Sequence, residues 1–337
     1  MIETLKELCM LDGVSGRESA VRDYILNALS TYTSKKDVRV DALGNVIVHL
    51  YGASTASKTV MLAAHMDEVG VIATGITSDG FVRFATVGGM DKAVLYGHRV
   101  RFGSTVGVIG GKAIHMCVGD EKEQIPEGDL LIDIGAADKE QAETLVQLGD
   151  VAVFDSDVYE IGHLLKGRAI DDRFGCAVLL ELCKTTPTYD LWVVFTVQEE
   201  VGLRGAKTAA FAVSPDVAVV IDATTAADTV GVAKDKQVCR VGDGAVVSFM
   251  DRRTLYDKAL YDQVLETAKE LGIKAQPKSM VAGGNDAGAI QTASFGARVA
   301  AVSLPCRYIH SPSCMASCED VQAVFALIKA LSERLPQ

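Results

Sequence analysis

Four short apolar runs in this sequence end in side chains that bind metals or carry protons. Thr59–Ala64 runs into His65-Met66-Asp67, and Leu191–Val197 runs through Gln198 into Glu199-Glu200. Val217–Ile221 runs into Asp222, and Arg298–Leu304 is followed within a short segment by His310. In open α/β sheets the binding crevice lies outside the carboxyl ends of the strands, so groups far apart in sequence can converge there. Two imidazoles and several carboxylates are hard-to-borderline ligands suited to zinc, cobalt or manganese. So many acids in one place repel one another and lose hydration, a cost that a pair of divalent ions removes. Two metals roughly 3.5–4 Å apart can polarise a carbonyl, acidify a water between them and stabilise a tetrahedral intermediate. One carboxylate must then stay off the metals to accept the water's proton. The Glu199-Glu200 pair can divide that labour, one as ligand and the other as base, and Asp67 can orient the other nitrogen of His65. Each element taken singly also has a plain reading, because an acid after a strand or a Glu-Glu pair is often a solvated corner. Their joint placement is what points to a metal site.

The elements around these runs indicate how they are positioned. Val21, Ile25 and Leu29 recur at helical spacing, and Ser15-Gly16-Arg17-Glu18 before them fits a capping box. Val46–Val48 follows the turn signal Gly44-Asn45, and Thr59–Ala64 is apolar throughout, as expected of a strand covered on both faces. From Val69 to Gly167 the texture changes to short β-like runs (Val69–Ala73, Phe81–Thr86, Arg99–Phe102, Val106–Ile109) separated by glycine-containing turns. A structureless loop of that length inside a compact domain would be abnormal, so the stretch reads as an inserted all-β unit. Beyond it strands and helices alternate again, with helices near Cys176–Lys184, Leu203–Val213 and Tyr256–Leu271 and a terminal helix from Glu319, for which Ser317 and Asp320 offer a cap. The predicted fold is α/β, a mixed, mostly parallel sheet flanked by helices, with a small all-β insertion. The expected domains are residues 1–67 plus 165–337 and, inserted between them, residues 68–164.

Composition sets the outer limits. The 337 residues are 49% hydrophobic and 23% charged, which excludes an intrinsically disordered chain. A net charge of -11 and the lack of a basic run interleaved with aromatics argue against nucleic acid or anionic lipid as partners. No apolar stretch is long enough to span a membrane, and MIETLKELCM has no signal-peptide core. The eight cysteines (Cys9, Cys117, Cys176, Cys183, Cys239, Cys306, Cys314, Cys318) therefore read as reduced thiols of a cytoplasmic protein. Cys314 and Cys318 lack the partner thiolates of a zinc ribbon and read as packing. His49, His98, His115 and His163 fall outside the strand-end pattern and read as surface or core histidines. Arg173 and Arg204 are open between substrate contact and ion pairing at a helix start, and Gly283-Gly284 between a ligand cradle and a tight turn.

The ordered motifs Ala64-His65-Met66-Asp67-Glu68-Val69-Gly70, Ile170-Asp171-Asp172-Arg173-Phe174-Gly175, Glu199-Glu200-Val201-Gly202-Leu203-Arg204-Gly205-Ala206, Ile221-Asp222 and Arg307-Tyr308-Ile309-His310-Ser311-Pro312 resemble those of the TET-like, glutamyl-aminopeptidase-type family of di-metal aminopeptidases. Some members of that family have been labelled endoglucanases. The resemblance spans nearly the whole chain, the β-rich insertion included. It implies that His65, Asp171 and Asp222 bind one metal, and that Asp171, Glu200 and His310 bind a second. Asp171 would be the bridge, Asp67 would fix the tautomer of His65, and Glu199 would be the general base. The implied activity is removal of N-terminal residues from short peptides by a water bridging two divalent ions, zinc or cobalt foremost and manganese as a third option. The resemblance further implies a homo-oligomer, commonly a tetrahedral dodecamer.

Two departures stand out. Asn285 in Gly283–Ala289 occupies a place where the family normally has Thr or Ser, and Ser313-Cys314-Met315 stands where an acidic residue is common, so that segment reads as a lead into the last helix. The same metals and base would also serve a metal-dependent amidohydrolase or deacylase of small N-acyl compounds. A non-catalytic scaffold on the same fold is the third reading. Glycoside hydrolysis is the weakest, since it typically uses two carboxyl groups flanking a sugar and needs no paired metals.

Overall fold

The computed structural model of the chain describes residues 1–116 and 130–337. Cys117 lies outside the described residues. The chain begins with α1 (Ile2–Met10) and α2 (Ser19–Thr31), then the hairpin of β1 (Lys36–Val40) and β2 (Val46–Leu50), then β3 (Val60–His65). A second group follows: β4 (Gly70–Ile76), β5 (Val82–Val87), β6 (Arg99–Phe102), β7 (Thr105–Gly110), β8 (Leu131–Asp133), α3 (Lys139–Leu145) and β9 (Val151–Phe154). The chain then returns through β10 (Tyr159–Ile161) and β11 (Leu164–Gly167) to α4 (Ile170–Cys183). Next come β12 (Leu191–Thr196), α5 (Arg204–Val213), β13 (Val217–Thr225), β14 (Ala245–Val247), α6 (Lys258–Glu270) and β15 (Ala275–Pro277). The last elements are α7 (Ala287–Ile290), β16 (Arg298–Arg307), β17 (Cys314–Ser317) and α8 (Cys318–Arg334).

The fold is mixed α/β with a separate small antiparallel β-barrel, as the sequence pattern predicts. The main sheet runs β1-β2-β12-β3-β13-β16-β17-β11-β10, with β14 and β15 attached beside β16. Its centre, β12-β3-β13-β16, is parallel throughout, and its flanks are antiparallel. All six residues of β3 are buried because helices cover both faces, which is why an unbroken apolar run was needed there. One face carries the larger core with α4, buried on nearly every side, its stretch from Phe174 to Cys183 being apolar but for Glu181. Ala206, Ala209 and Ala210 of α5 and Ile290 of α7 pack on the other face.

The barrel closes in the order β4-β5-β8-β7-β6-β9 around Val71, Val82, Val100, Ile109, Ile132 and Phe154. Closure leaves no free sheet edge in this small unit. β10 lies inside the stretch expected to form the insertion, yet it pairs with β11 in the main sheet. Among the described residues no helix is long and apolar enough to cross a membrane.

Two local expectations are corrected. Glu18 occupies the N-cap of α2 and no side chain caps that helix, so Ser15 and Glu18 form no capping box. Gly16, at φ +80°, turns the chain, and a bridge between Val14 and Glu68 holds the preceding residues against the start of the barrel. At α8 Ser317 does cap, accepting from the Glu319 amide, whereas Asp320 accepts from the amides of Gly242 and Gly244.

Candidate metal centre

The parallel register brings the strand ends level. Thr196 lies opposite His65, and Val220 opposite Ala63, which carries Asp222 to the level of His65. Asp222 pairs with Ser303 of β16, the strand that leads to His310. Asp171 arrives from a different direction, in the first turn of α4, where it and Asp172 have non-helical backbone angles. The chain has left-handed backbone at Ala169, Gln198, Tyr308 and His310, all non-glycine residues at or beside the cluster. Such conformations persist where the surroundings dictate them and gather at functional sites.

Six of the residues singled out from the sequence, His65, Asp171, Glu199, Glu200, Asp222 and His310, face one cavity of about 150 Å³, and Asp67 lies buried behind it. His65 Nε2 is 3.1 Å from Asp171 Oδ1 and 3.6 Å from Asp222 Oδ1. His310 Nε2 is 3.3 Å from Asp171 Oδ2 and 3.2 Å from Glu200 Oε1. One carboxylate thus offers an oxygen to each imidazole. The other ring nitrogens point away, Nδ1 of His65 lying 3.1 Å from the Asp67 carbonyl and Nδ1 of His310 lying 2.6 Å from that of Gly89. Nδ1–H donation to those carbonyls leaves both Nε2 lone pairs directed inward, the arrangement of metal-binding histidines.

Asp67 does more than face His65. Its carboxylate, 3.5 Å from His65 Nδ1, accepts the backbone amides of Glu199 (2.9 Å) and Glu200 (3.1 Å) and the Ser15 hydroxyl (2.6 Å). Glu18 accepts the amides of Gly16 and Gln198. The two residues that read locally as a helix cap therefore tie the N-terminal loop to the Glu199-Glu200 corner. The side-chain oxygens of Asp172 accept the amides of His65 and Gly175, and a Cβ at Gly175 would lie 2.5 Å from that carboxylate.

Electrostatically the cavity is an excess of acid. Burial raises Glu199 well above its usual range, helped by the charges of Asp286, Asp222 and Glu200 and opposed by His65. Burial likewise raises Glu200, and it lifts Asp222 to about 7 with repulsion from Asp171. Burial works against protonation of His310, but Asp171 and Glu200 outweigh it and push the imidazole up to about 11. Asp171 moves down, burial being overcome by the two histidines. Asp286 is pushed up to about 6, chiefly by burial. The Thr196 hydroxyl, with one proton, meets both the Ala64 carbonyl (3.1 Å) and Asp286 Oδ2 (2.6 Å), so a proton on Asp286 makes hydrogen bonds of both contacts.

Three sets of ligand atoms lie close enough to share an ion: His65 with Asp171 and Asp222, Asp171 with Glu200 and His310, and His65 with Glu199 and Glu200. Divalent cations fit this donor set. They would offset the repulsion that drives the carboxylates up, and the imidazoles present free lone pairs. Among the described residues the Glu199 carboxylate accepts no hydrogen bond, whereas Glu200 is held by His310.

Of the remaining sequence candidates, Gly283, Gly284 and Asn285 line the cavity and the others fall elsewhere. Arg173 is fully buried and bonds Met66, Leu8 and Leu11 carbonyls and Glu68, which makes it a structural residue. Arg204 reaches Gln198 Oε1 at 3.4 Å. His49 stacks on Trp192 and His98 meets the edge of Phe154. Asn285 lines the cavity and bonds the Tyr256 hydroxyl, and Cys314-Met315 lies in β17 immediately before α8. The sequence reading missed Ser15, Glu18, Gly89, Asp286 and Lys278. Only the last two carried a signal, Asp286 by its place beside Asn285 and Lys278 as a cation after a short strand.

A profile of the M42 glutamyl aminopeptidase family matches residues 44–327. The lysyl aminopeptidase of Pyrococcus furiosus is 32% identical over 346 residues, covering 99% of this chain and 97% of that protein. The glutamyl aminopeptidase of Lactococcus lactis subsp. cremoris is 30% identical, covering 98% of this chain and 95% of that protein. The Pyrococcus horikoshii TET1 peptidase, which can assemble into a tetrahedron or a large octahedral shell, superposes with a TM-score of 0.86 at 35% identity, covering 98% of both chains.

Proposed function

The chain belongs to the M42 glutamyl aminopeptidase family and is a metal-dependent aminopeptidase, a hydrolase of peptide bonds, and on that premise we propose how its residues divide the work. His65, Asp171 and Asp222 hold one divalent ion, and Asp171, Glu200 and His310 hold a second, zinc or cobalt before manganese. Glu199 is the general base. The observation that carries this reading is the shared carboxylate of Asp171, with one oxygen toward each imidazole, beside a glutamate whose carboxylate accepts no hydrogen bond among the described residues.

When bound, such ions supply Lewis acidity toward the scissile carbonyl and acidify the attacking water. Glu199 accepts a proton from that water as its oxygen attacks the carbonyl carbon. It returns the proton to the amine nitrogen as the C–N bond breaks. Its elevated affinity for a proton suits a group that must take one and give it back. Asp67 fixes the Glu199 backbone through its amide, so the base keeps its place. The Asp67 and Gly89 carbonyls hold the two imidazoles with Nε2 inward.

The substrates in this reading are short peptides with a free N-terminus, one residue of which fits a cavity of this size. The glutamyl and lysyl names among the relatives leave the preferred N-terminal residue open. The working units in this reading are residues 1–67 with 165–337 as the catalytic part and 68–164 as the insertion, whose last strand, β10, joins the main sheet. Assembly as a homo-oligomer, a tetrahedral dodecamer, is the form suggested by the likeness to the TET1 peptidase. The free thiols among the described residues accord with a reducing cytoplasm.

The test is metal analysis coupled to a panel of aminoacyl-p-nitroanilides, N-acetyl amino acids and carboxymethylcellulose, with and without chelator. Two ions per chain and chelator-sensitive, zinc- or cobalt-restored cleavage of the aminoacyl set alone is expected. Turnover of the N-acetyl set alone would overturn the reading, and sedimentation at monomer mass would overturn the assembly.

A further inference from the structure

The two groups of ligands are built from different parts of the molecule. His65, Asp171 and Asp222 come from β3, α4 and β13, the main sheet and its covering helix, and the His65 side chain is 3% exposed. Glu200 and His310 sit on loops that face the barrel, and the His310 side chain is 30% exposed. Barrel residues seat both. Gly88 and Gly89 follow β5 directly, and the Gly89 carbonyl takes Nδ1 of His310. Gly88 lies so near that a Cβ there would come within 3.2 Å of Glu200 Cβ and 2.8 Å of Val69 Cγ1. Its φ of +85° is a second reason for glycine at this turn.

Where the chain leaves the barrel after β9, the Ser156 hydroxyl donates to the Pro312 carbonyl, and Lys166 of β11 donates to the Ser156 oxygen at 2.6 Å. The loop that carries His310 is therefore gripped from the barrel side at two points. His310 itself has φ +57°, a backbone state that a non-glycine residue keeps only where its surroundings impose it. Little slack separates the barrel from these ligands. A cavity of about 10 Å³, with Val69 and Phe154 on one side and Asp171, Glu200 and His310 on the other, has room for one water at most.

We propose that the barrel is a working part of the second ion site, its contacts through Gly88, Gly89 and Ser156 positioning Glu200 and His310, so that occupancy of that site and seating of the barrel are coupled. The assignment rests on the ion arrangement proposed above. It divides the pair into one ion held by the main sheet and α4 alone and another held fully only while the barrel is seated. Coupling of this kind is reciprocal: the factor by which a seated barrel tightens the second ion is the factor by which that ion favours the seated barrel.

The experiment titrates cobalt(II) into the metal-free full chain by calorimetry and follows backbone hydrogen exchange in residues 84–90 and 308–313. Two binding steps are expected, with protection of both segments gained on the second. Ser156→Ala removes one grip and should weaken the second step roughly tenfold, while Gly88→Ala, which crowds Glu200, should weaken it on the order of 100-fold. The first step should stay within about twofold in both. Gly97→Ala separates contact from backbone strain, because Gly97 has φ +80° beside β6 with nothing within 4 Å of its would-be Cβ. That variant should bind both ions as the wild type does. Protection gained on the first ion, or on neither, overturns the coupling in the wild type alone, whether or not the variants fold. So do Ser156→Ala and Gly88→Ala proteins that keep both steps unchanged, or that lose both equally, the mark of a merely structural contact. A wild type that takes up fewer than two ions would overturn the di-metal arrangement itself and this coupling with it.

Discussion

Glu68 and Asp171 line the same small cavity, yet they belong to buried charge clusters balanced in opposite ways. Around Glu68 the protein supplies every counter-charge itself. Arg168 and Arg173 both donate to Glu68, Arg168 reaches on to Asp12, and Arg101 of the barrel closes on the same Asp12. Leftover guanidinium protons go to the Met10, Leu11, Leu8 and Met66 carbonyls. Around Asp171 the acids outnumber the imidazoles, the Glu199 carboxylate accepts no hydrogen bond among the described residues, and neutrality waits on something that the chain does not encode. A satisfied ion network holds the N-terminal loop, barrel and α4 together. An unsatisfied one is poised to bind and react.

If that contrast is right, equally conservative changes should fail differently. Glu199→Gln should cut kcat on the order of 1,000-fold, as loss of a general base does, while zinc content and the thermal midpoint stay near wild type. Glu68→Gln leaves two buried guanidinium groups short of their charge partner and should cost about 3–5 kcal/mol of stability by urea titration. Metal per folded chain should be unaffected. A Glu199 variant that unfolds, or a Glu68 variant that keeps its stability, would erase the distinction.

Acidity separates the clusters further. In the metal-free protein Asp222 is raised to about 7 and His310 to about 11, so both favour folding in their protonated forms. Each contribution is complete below the unfolded-state pKa and lost as pH rises through the folded one. The window runs from about pH 4 to 7 for Asp222 and from about 6.5 to 11 for His310. Bound ions replace those protons, so metal binding should release protons and tighten with pH. The drop in Tm on adding chelator should therefore widen from pH 5 to pH 9. A gap that stays constant would mean that the acid excess around Asp171 is not what the metals relieve.

The sequence revealed the part of this arrangement that strand order controls. His65, Asp222 and the Glu199-Glu200 corner sit where parallel register must put strand ends, and apolar runs mark those strands plainly. The barrel was legible too, because its short alternating strands lack helical periodicity. What stayed hidden depends on approach through space. Gly89 supports His310 from 221 residues away, and no local pattern distinguishes its carbonyl from any other. Ser15 and Glu18 were misread because their spacing matches a capping box, while the helix they would cap starts at Ser19.

Ser15 gives the smallest and sharpest test, because it touches the reactive cluster only through Asp67. Its hydroxyl donates to Asp67 Oδ2, which also takes the Glu200 amide, while Oδ1 takes the Glu199 amide. Asp67 is held below its usual range: burial pushes it up, but His65, Ser15 and the Glu199 amide together outweigh burial. A depressed carboxylate stabilises the fold above its unfolded pKa and loses that contribution as pH falls through the folded value. Ser15→Ala removes one donor of several, so Asp67 should rise part of the way back and acid unfolding should begin at a higher pH. The loss at neutral pH should be about 1.5–3 kcal/mol, the scale of a hydrogen bond to a charged acceptor. Since the amides of Glu199 and Glu200 keep their acceptor, kcat should fall less than about tenfold. Acid titration of the two proteins by circular dichroism checks the first effect and steady-state kinetics the second. An unchanged acid midpoint would show that Ser15 merely lies beside Asp67. A kcat loss as large as that of Glu199→Gln would show instead that the N-terminal loop, and not Asp67 alone, positions the base.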